Sequence, residues 1–200
     1  MNVVRLEDTT SWRVNWGSDH DVDVALFLRD VLALSVADGQ LLPPVEPAVP
    51  VHVPPALDRA AVQAQWEPWW NGLLTFLRER GSARTRRKSP APGDGSAIDR
   101  AAQHFAPAAA EHFAMARRPV SSGFHRRQIL AGERLGRLVR ETEVELGRRA
   151  RPFRLSVLEI PVAGRVWLRT AEHQLLVSSR LAADVPALDQ AMRSLIHELA

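Results

Sequence analysis

The apolar residues of this chain change their period near Pro152, and this change constrains the fold more than any other feature. Over residues 124–149 one helical face collects Ala131, Leu135, Leu138, Thr142 and Leu146. After Pro152 the period becomes two, as in a strand with one buried face. Helix-like and strand-like patterns therefore occupy separate stretches, which predicts an α+β protein.

The strand-like pattern predicts a small antiparallel β-sheet. In the C-terminal third, three short apolar runs around Leu155, Val166 and Leu175 are separated by short breaks, which is typical of a three-stranded antiparallel meander. Near the N-terminus Trp12, Val14 and Trp16 also alternate with polar residues. We expect this N-terminal strand to join the meander, with four to five helices covering the sheet.

Helices are predicted in five regions of the chain. Residues 20–37 start with carboxylates that suit the positive end of a helix, and Gly39 is the expected stop. A helix from Leu57 to Gly81 is expected to be interrupted at Pro68. The remaining predicted helices are residues 97–117 with a kink at Pro107, residues 124–149, and a final helix that begins at Asp184 and Pro186.

Two segments lack the pattern of a regular element. Residues 41–56 contain six prolines, which exclude a helix and favour an extended path along the surface. Residues 82–96 are Pro, Gly, Ser and Arg with no large apolar side chain, which is typical of a flexible loop or linker. The expected organisation is 1–81, a linker over 82–96, and 97–200, together forming one composite domain.

Composition excludes several classes of function. The chain has no cysteine, so disulfides, thiolate zinc sites and a cysteine nucleophile are ruled out. No signal peptide or membrane-length apolar run is visible, so a cytoplasmic protein without a membrane partner is expected. The net charge of +3 is unevenly distributed. Residues 81–158 hold fifteen arginines and one lysine against seven acidic residues, whereas residues 1–80 hold six arginines and eleven acidic residues.

Metal and nucleophile motifs are weak. His104, Glu111, His112 and His125 are close in sequence, but the two histidines at 104 and 112 lack the i, i+4 spacing of helical ligands. The Asp19–Asp23 cluster lacks the glycine and glutamate of a calcium loop and is better explained as a helix start. No nucleophile or phosphate-loop motif surrounds the serines. No cofactor and no metal are therefore predicted.

The candidate interaction surface combines cationic and aromatic residues. The outer face of helix 124–149 is rich in arginine, and the predicted helix from Leu57 to Gly81 carries a group of tryptophans, a residue type that is enriched at interfaces. The candidate residues are Arg126, Arg134, Arg137, Arg140, Arg148, Trp66, Trp69 and Trp70. The alternatives are that the arginines form an ordinary solvated face and that the tryptophans pack in the core.

These observations favour a non-enzymatic interaction or regulatory protein, whose partner is another protein or a second copy of the chain. Nucleic-acid binding through the arginine-rich middle is the first alternative, although no recognised nucleic-acid-binding motif is present. A metal-dependent enzyme that uses His104, Glu111, His112 or His125 is the second alternative.

Overall fold

A central β-sheet carries helices on both of its faces. The computed structural model describes residues 12–36, 42–82 and 95–200, without the side chains of residues 80–82 and 116–131. The strands are β1 (Arg13–Gly17), β2 (Arg154–Ile160), β3 (Trp167–Ala171) and β4 (Gln174–Ser178). The helices are α1 (His20–Val31), α2 (Arg59–Ser82), α3 (Ala97–Leu146), α4 (Ser179–Ala183) and α5 (Val185–Leu199).

The predicted α+β class is confirmed, as are the N-terminal strand in the sheet and an antiparallel pair at its C-terminal end. The predicted antiparallel meander differs from the observed strand order, which is β1-β2-β4-β3. Both β1 and β4 pair with β2 in parallel, and β3 pairs antiparallel with β4. The reason is burial: all five residues of β4 are buried, so it takes an interior position, whereas the half-exposed β3 forms an edge.

Two apolar clusters lie on opposite faces of this sheet. The first cluster joins α1, α2 and the beginning of α3 to sheet residues such as Leu158, Ile160 and Leu176. The second cluster joins the end of α3 and α5 to Leu155, Val157, Leu175 and Val177. Because strand side chains alternate between faces, β2 and β4 contribute to both clusters.

Helix α1 begins where predicted and ends earlier. The Asp19 carboxylate accepts hydrogen bonds from the backbone N–H groups of Asp21 and Val22, as an N-cap does. The predicted continuation to residue 37 is wrong, because the helix ends at Val31 and Ala33 takes a positive φ of 46°. The Arg59 side chain donates to the carbonyl of Leu32 at 2.7 Å, so tertiary contacts stabilise this end. The predicted stop, Gly39, lies outside the described residues.

The predicted interruptions of α2 and α3 are also wrong. Pro68 lies inside a continuous α2, and α3 runs as one helix where separate helices over 97–117 and 124–149 were expected. The kink expected at Pro107 stays a prediction. Each proline removes one backbone donor from the helix. Both prolines are exposed, as are Ala64 and Gln103, whose carbonyls lose that donor and can be hydrated instead. Helix α3 ends at Leu146 and is capped by Gly147, whose φ of 64° suits glycine.

The first part of the proline-rich segment is held by a buried ion pair that sequence analysis did not single out. Arg29 is 5% exposed and binds the Asp30 carboxylate through Nε at 2.6 Å and Nη2 at 3.1 Å. Its guanidinium also donates to the carbonyls of Leu42 and Pro43 at 2.9 and 2.8 Å. Asp30 in turn accepts from the backbone N–H of Val45. The pair thus fastens α1 to the start of the segment.

The structure describes only part of the remaining segments for which the sequence makes predictions. Residues 83–94, which include most of the predicted linker, lie outside the described residues. Helix α5 begins where predicted, with Asp184 as its N-cap, and it buries Leu188, Met192, Leu195 and Ile196. Within the described ranges, none of the helices combines the length and apolar character needed to cross a membrane.

Candidate interaction surfaces

The tryptophans of α2 are divided between core and surface. Trp66 and Trp70 are each 2% exposed, and Trp66 donates its indole N–H to the carbonyl of Ala25 at 2.8 Å. Trp69 points differently and is half-buried against the first cluster, where its indole nitrogen has no hydrogen-bond partner among the described residues. Two of the three candidate tryptophans are therefore core residues and cannot contact a partner.

The candidate arginines also divide into two groups. Arg134 faces α5, with its Nε 3.6 Å from the Asp189 carboxylate. Arg148 donates to the carbonyl of Ala200 at 2.6 Å and so helps to hold the end of α5. Arg134 therefore joins α3 to α5, and Arg148 joins the residues just after α3 to the end of α5. The side chain of Arg126 lies outside the described residues.

Arg137 and Arg140 form the second group. Both are exposed, and within the described part of the chain neither has an ion-pair or hydrogen-bond partner. One turn further along α3, Val144 is 82% exposed. At 100° per residue these three side chains fall within an arc of about 60°. We call Arg137, Arg140 and Val144 the α3 stripe.

Carboxylates flank the α3 stripe. Glu133 is exposed on the same face of α3. Glu141 and Glu145 both approach Arg193 of α5, at 2.9 and 3.7 Å. Residues 133–149 contain five arginines and four glutamates, so this part of α3 is nearly neutral although two of its arginines are free. The stripe is therefore a local cationic and apolar feature and not part of a broad basic surface.

Sequence analysis found the arginines of this stripe and missed its valine. A signal was available, because position 144 falls on the same helical arc as Arg137 and Arg140. The helical pattern of apolar residues predicts only the buried side of α3, where Leu135, Leu138 and Thr142 are buried as expected.

The histidines of the metal hypothesis take separate positions. His112 is half-buried, with its Nε2 2.9 Å from the carbonyl oxygen of Pro47 and its ring edge-on to Phe27. His104 is exposed beside Phe105, and Glu111 is exposed. The side chain of His125 lies outside the described residues. Among the side chains that the structure describes, no three histidine or acidic residues are grouped in a way that could hold a metal ion.

The serine that lies deepest in the fold is used for structure. Ser178 is fully buried, and its hydroxyl donates to the carbonyl of Gly164 at 2.8 Å. The same oxygen accepts from the backbone N–H groups of Val166 and Leu181. It therefore caps α4 and fixes the connection between β2 and β3.

The proline-rich segment presents an exposed apolar strip that sequence analysis described only as extended. Residues 47–54 follow the Val45–Val162 bridge and precede α2. Val51 is 65% exposed and Val53 is 40% exposed, beside exposed prolines at 47 and 50. We call residues 47–54 the proline strip.

Comparisons with known proteins do not assign this fold or these surfaces to a family. The chain matches no protein-family model, no curated protein and no solved structure.

Proposed function

We propose that this protein is a non-enzymatic interaction or regulatory protein of the cytoplasm, which binds a protein partner through the α3 stripe. The observation that carries the proposal is the exposed cluster of Arg137, Arg140 and Val144, in which two arginines have no partner among the described residues. Arginine is enriched at protein interfaces, where its flat guanidinium binds carboxylates and its stem covers apolar surface.

The chemistry of the stripe favours an acidic protein surface with a small apolar contact. Two guanidinium groups can each bind a carboxylate of the partner through paired hydrogen bonds. Val144 lies beside them and can be buried by an apolar residue of the partner, which adds a non-directional contribution. A second copy of this chain fits the same chemistry, because Glu133 is exposed and Glu67 is partly exposed on its surface.

Nucleic-acid binding through the same residues is the alternative that the unpaired arginines support. Its affinity grows with the number of phosphates that cations neutralise. Here the free cations of the stripe are two, and the glutamates at 133, 141 and 145 lie beside them. Two free cations can neutralise only a few phosphates, and Val144 offers an apolar contact that a phosphate backbone cannot use, so a protein partner is favoured.

The test uses the full chain with a photo-crosslinking phenylalanine derivative at position 144. Irradiation in cells that produce the protein should give a discrete protein adduct. We expect the adduct to disappear when Arg137→Glu and Arg140→Glu are added. The matched control is Arg100→Glu, an exposed charge reversal in the first turn of the same helix, where a carboxylate suits the helix end.

Three outcomes would contradict the proposal. The first is an adduct that survives the double charge reversal. The second is an adduct that the Arg100→Glu control abolishes equally. The third is binding of the pure protein to DNA or RNA that weakens steeply with salt and is lost in the double variant, which would favour the nucleic-acid alternative. Light scattering of the pure protein identifies a second copy as the partner.

A further inference from the structure

Two arginines lie directly opposite each other in the sheet. Arg13 of β1 is the register partner of Arg154 of β2, and both residues are exposed. Partners in adjacent strands lie about 4.8 Å apart and direct their side chains to the same face of the sheet. Two guanidinium charges at this spacing repel each other, and both attract an anion that lies between them. The pair therefore provides two cationic groups for an anion.

Uncharged donors lie in the next row of the same face. Asn15 is the register partner of Ser156, and both residues are half-buried. Within the described residues neither of these two side chains has a hydrogen-bond partner. Because side chains alternate between the two faces of a strand, the two rows form one polar block. We call this block the sheet donor site, which consists of Arg13, Asn15, Arg154 and Ser156.

The sheet donor site lies beside the first cluster on one face of the sheet. Further along the same side of β2, Leu158 and Ile160 are buried in that cluster. Gly17 follows Asn15 on the same side of β1. No described atom lies within 4 Å of the place that a Cβ on Gly17 would take, so the face is open at the end of β1. The donors are therefore next to a packed core and accessible from solvent.

Helix α2 borders the site on the side of β4. Gln174 is the register partner of Ser156 in β4, is 2% exposed, and donates from its side chain to the carbonyl of Leu74 at 2.9 Å. The only acidic residue of β1 and β2 is Glu159, which points to the opposite face and accepts from the indole N–H of Trp16. The two strands thus contribute cations and neutral donors to the site and no carboxylate.

We propose that the sheet donor site binds the phosphate group of a small phosphate monoester. All four side chains are hydrogen-bond donors: two guanidinium groups, an amide and a hydroxyl. A guanidinium binds phosphate oxygens through paired hydrogen bonds, and the terminal oxygens of a phosphate can accept from several donors at once. A carboxylate has only two oxygens, so four converging donors favour phosphate.

The size of the site favours a small ligand over nucleic acid. The block is two residues wide and two residues long, which suits one phosphate, whereas DNA and RNA are bound by cations spread along many phosphates. The site shares no residue with the α3 stripe. It therefore goes beyond protein binding by that stripe and gives the chain a second binding surface for a different class of partner.

The experiment titrates the full chain with inorganic phosphate at constant ionic strength and follows backbone amide shifts by NMR. We expect saturable shifts at Asn15 and Ser156 with a Kd of about 1 mM or lower. Arg13→Ala should weaken binding at least about tenfold. Arg13→Lys keeps the charge without the paired donors and should restore only part of the affinity. Ser156→Ala removes a neutral donor and should weaken binding about three- to tenfold.

Matched controls separate this site from general attraction by charge. The double variant Arg137→Ala, Arg140→Ala removes two other exposed arginines of the same chain and should leave phosphate binding unchanged. Failure of the α3 proposal and failure of this one are thereby distinguishable. Phenyl phosphate, a simple monoester, should shift the same amides as inorganic phosphate, and a short single-stranded DNA is the third arm. Circular dichroism checks that each variant is folded.

Five results would overturn the proposal. They are no saturable shift at Asn15 and Ser156, binding that Arg13→Ala leaves intact, and equal loss in the α3 double variant. The fourth is full affinity in both Arg13→Lys and Ser156→Ala, which would mean attraction by charge alone. The fifth is DNA binding that is tighter than phenyl phosphate binding and is lost in Arg13→Ala, which would assign these residues to nucleic acid.

Discussion

Trp66 and Trp70 lie one turn apart on α2 and stack with their ring centroids 5.5 Å apart and their planes 8° from parallel. Both rings are buried, so their area contributes to the stability of the first cluster. We predict that Trp70→Ala lowers the free energy of unfolding by about 3–5 kcal/mol. Urea unfolding followed by circular dichroism measures this. Trp69→Ala is the control, and its half-buried ring should cost about 1 kcal/mol. Equal losses of unfolding free energy in the two variants would show that the stacked ring of Trp70 stabilises the core no more than the half-buried ring of Trp69.

The two sides of α3 should respond differently to truncation. Leu138 is 3% exposed in the second cluster, so Leu138→Ala should cost about 2–5 kcal/mol through the cavity it leaves. Arg137 is exposed without a partner among the described residues, so Arg137→Ala should change stability by no more than about 0.5 kcal/mol. Both are measured by chemical denaturation. A large loss in the arginine variant would mean that this side chain contributes to the fold and not only to binding.

The buried Arg29–Asp30 pair should be far more important for stability than an exposed pair. Arg29→Ala removes the cation that pairs with the Asp30 carboxylate and the donor to two carbonyls, and breaking such a pair costs about 3–5 kcal/mol. Hydrogen exchange at the Val45 amide, which donates to Asp30, should accelerate in this variant. Arg180→Ala removes the exposed pair with Glu46 and should cost less than about 1 kcal/mol. Similar effects of the two variants would contradict this ranking.

The purified protein should contain no stoichiometric transition metal. Of the candidate metal ligands in the described residues, His112 contacts the carbonyl oxygen of Pro47, and His104 and Glu111 are exposed in separate places. Elemental analysis of protein prepared without chelators is the measurement. About one zinc per chain that is lost in His104→Ala or His112→Ala would reverse this prediction and revive the metal-enzyme alternative.

Local patterns in the sequence predicted those elements whose ends are determined locally. Asp19 caps α1 and Asp184 caps α5 because a side-chain carboxylate satisfies backbone donors only two or three residues away. The buried face of α3 followed directly from the spacing of Leu135 and Leu138. Such features depend on neighbours in sequence, so periodicity and capping residues were sufficient.

Features that depend on distant residues could not be predicted in this way. The parallel pairing of β2 with β4 requires β3 to pass to the outer edge, which depends on how deeply β4 is buried. The early end of α1 depends on Arg59, nearly thirty residues further along the chain. Arg29 and Asp30 resemble an ordinary surface pair in the sequence. Their burial arises only when the proline-rich segment folds over them.

The candidate interaction surface could be predicted only in part, because it too depends on residues that are distant in sequence. Helical spacing placed Arg137 and Arg140 outward, but it could not show that Arg134 is paired with Asp189 of another helix. The sequence left open whether the tryptophans lie at the surface or in the core, and only the packing of α1 against α2 shows that Trp66 and Trp70 are covered.

The alternation of side chains along β4 has a consequence for how the molecule melts. Leu175 belongs to the second cluster and Leu176 to the first, and one peptide bond joins them. Neither layer can be hydrated while the strand stays in place, and loss of the strand exposes both layers. The two halves of the interior should therefore behave as one cooperative unit, with a calorimetric enthalpy equal to the van't Hoff enthalpy. A chain that buries its apolar residues in two clusters would then have a single melting temperature.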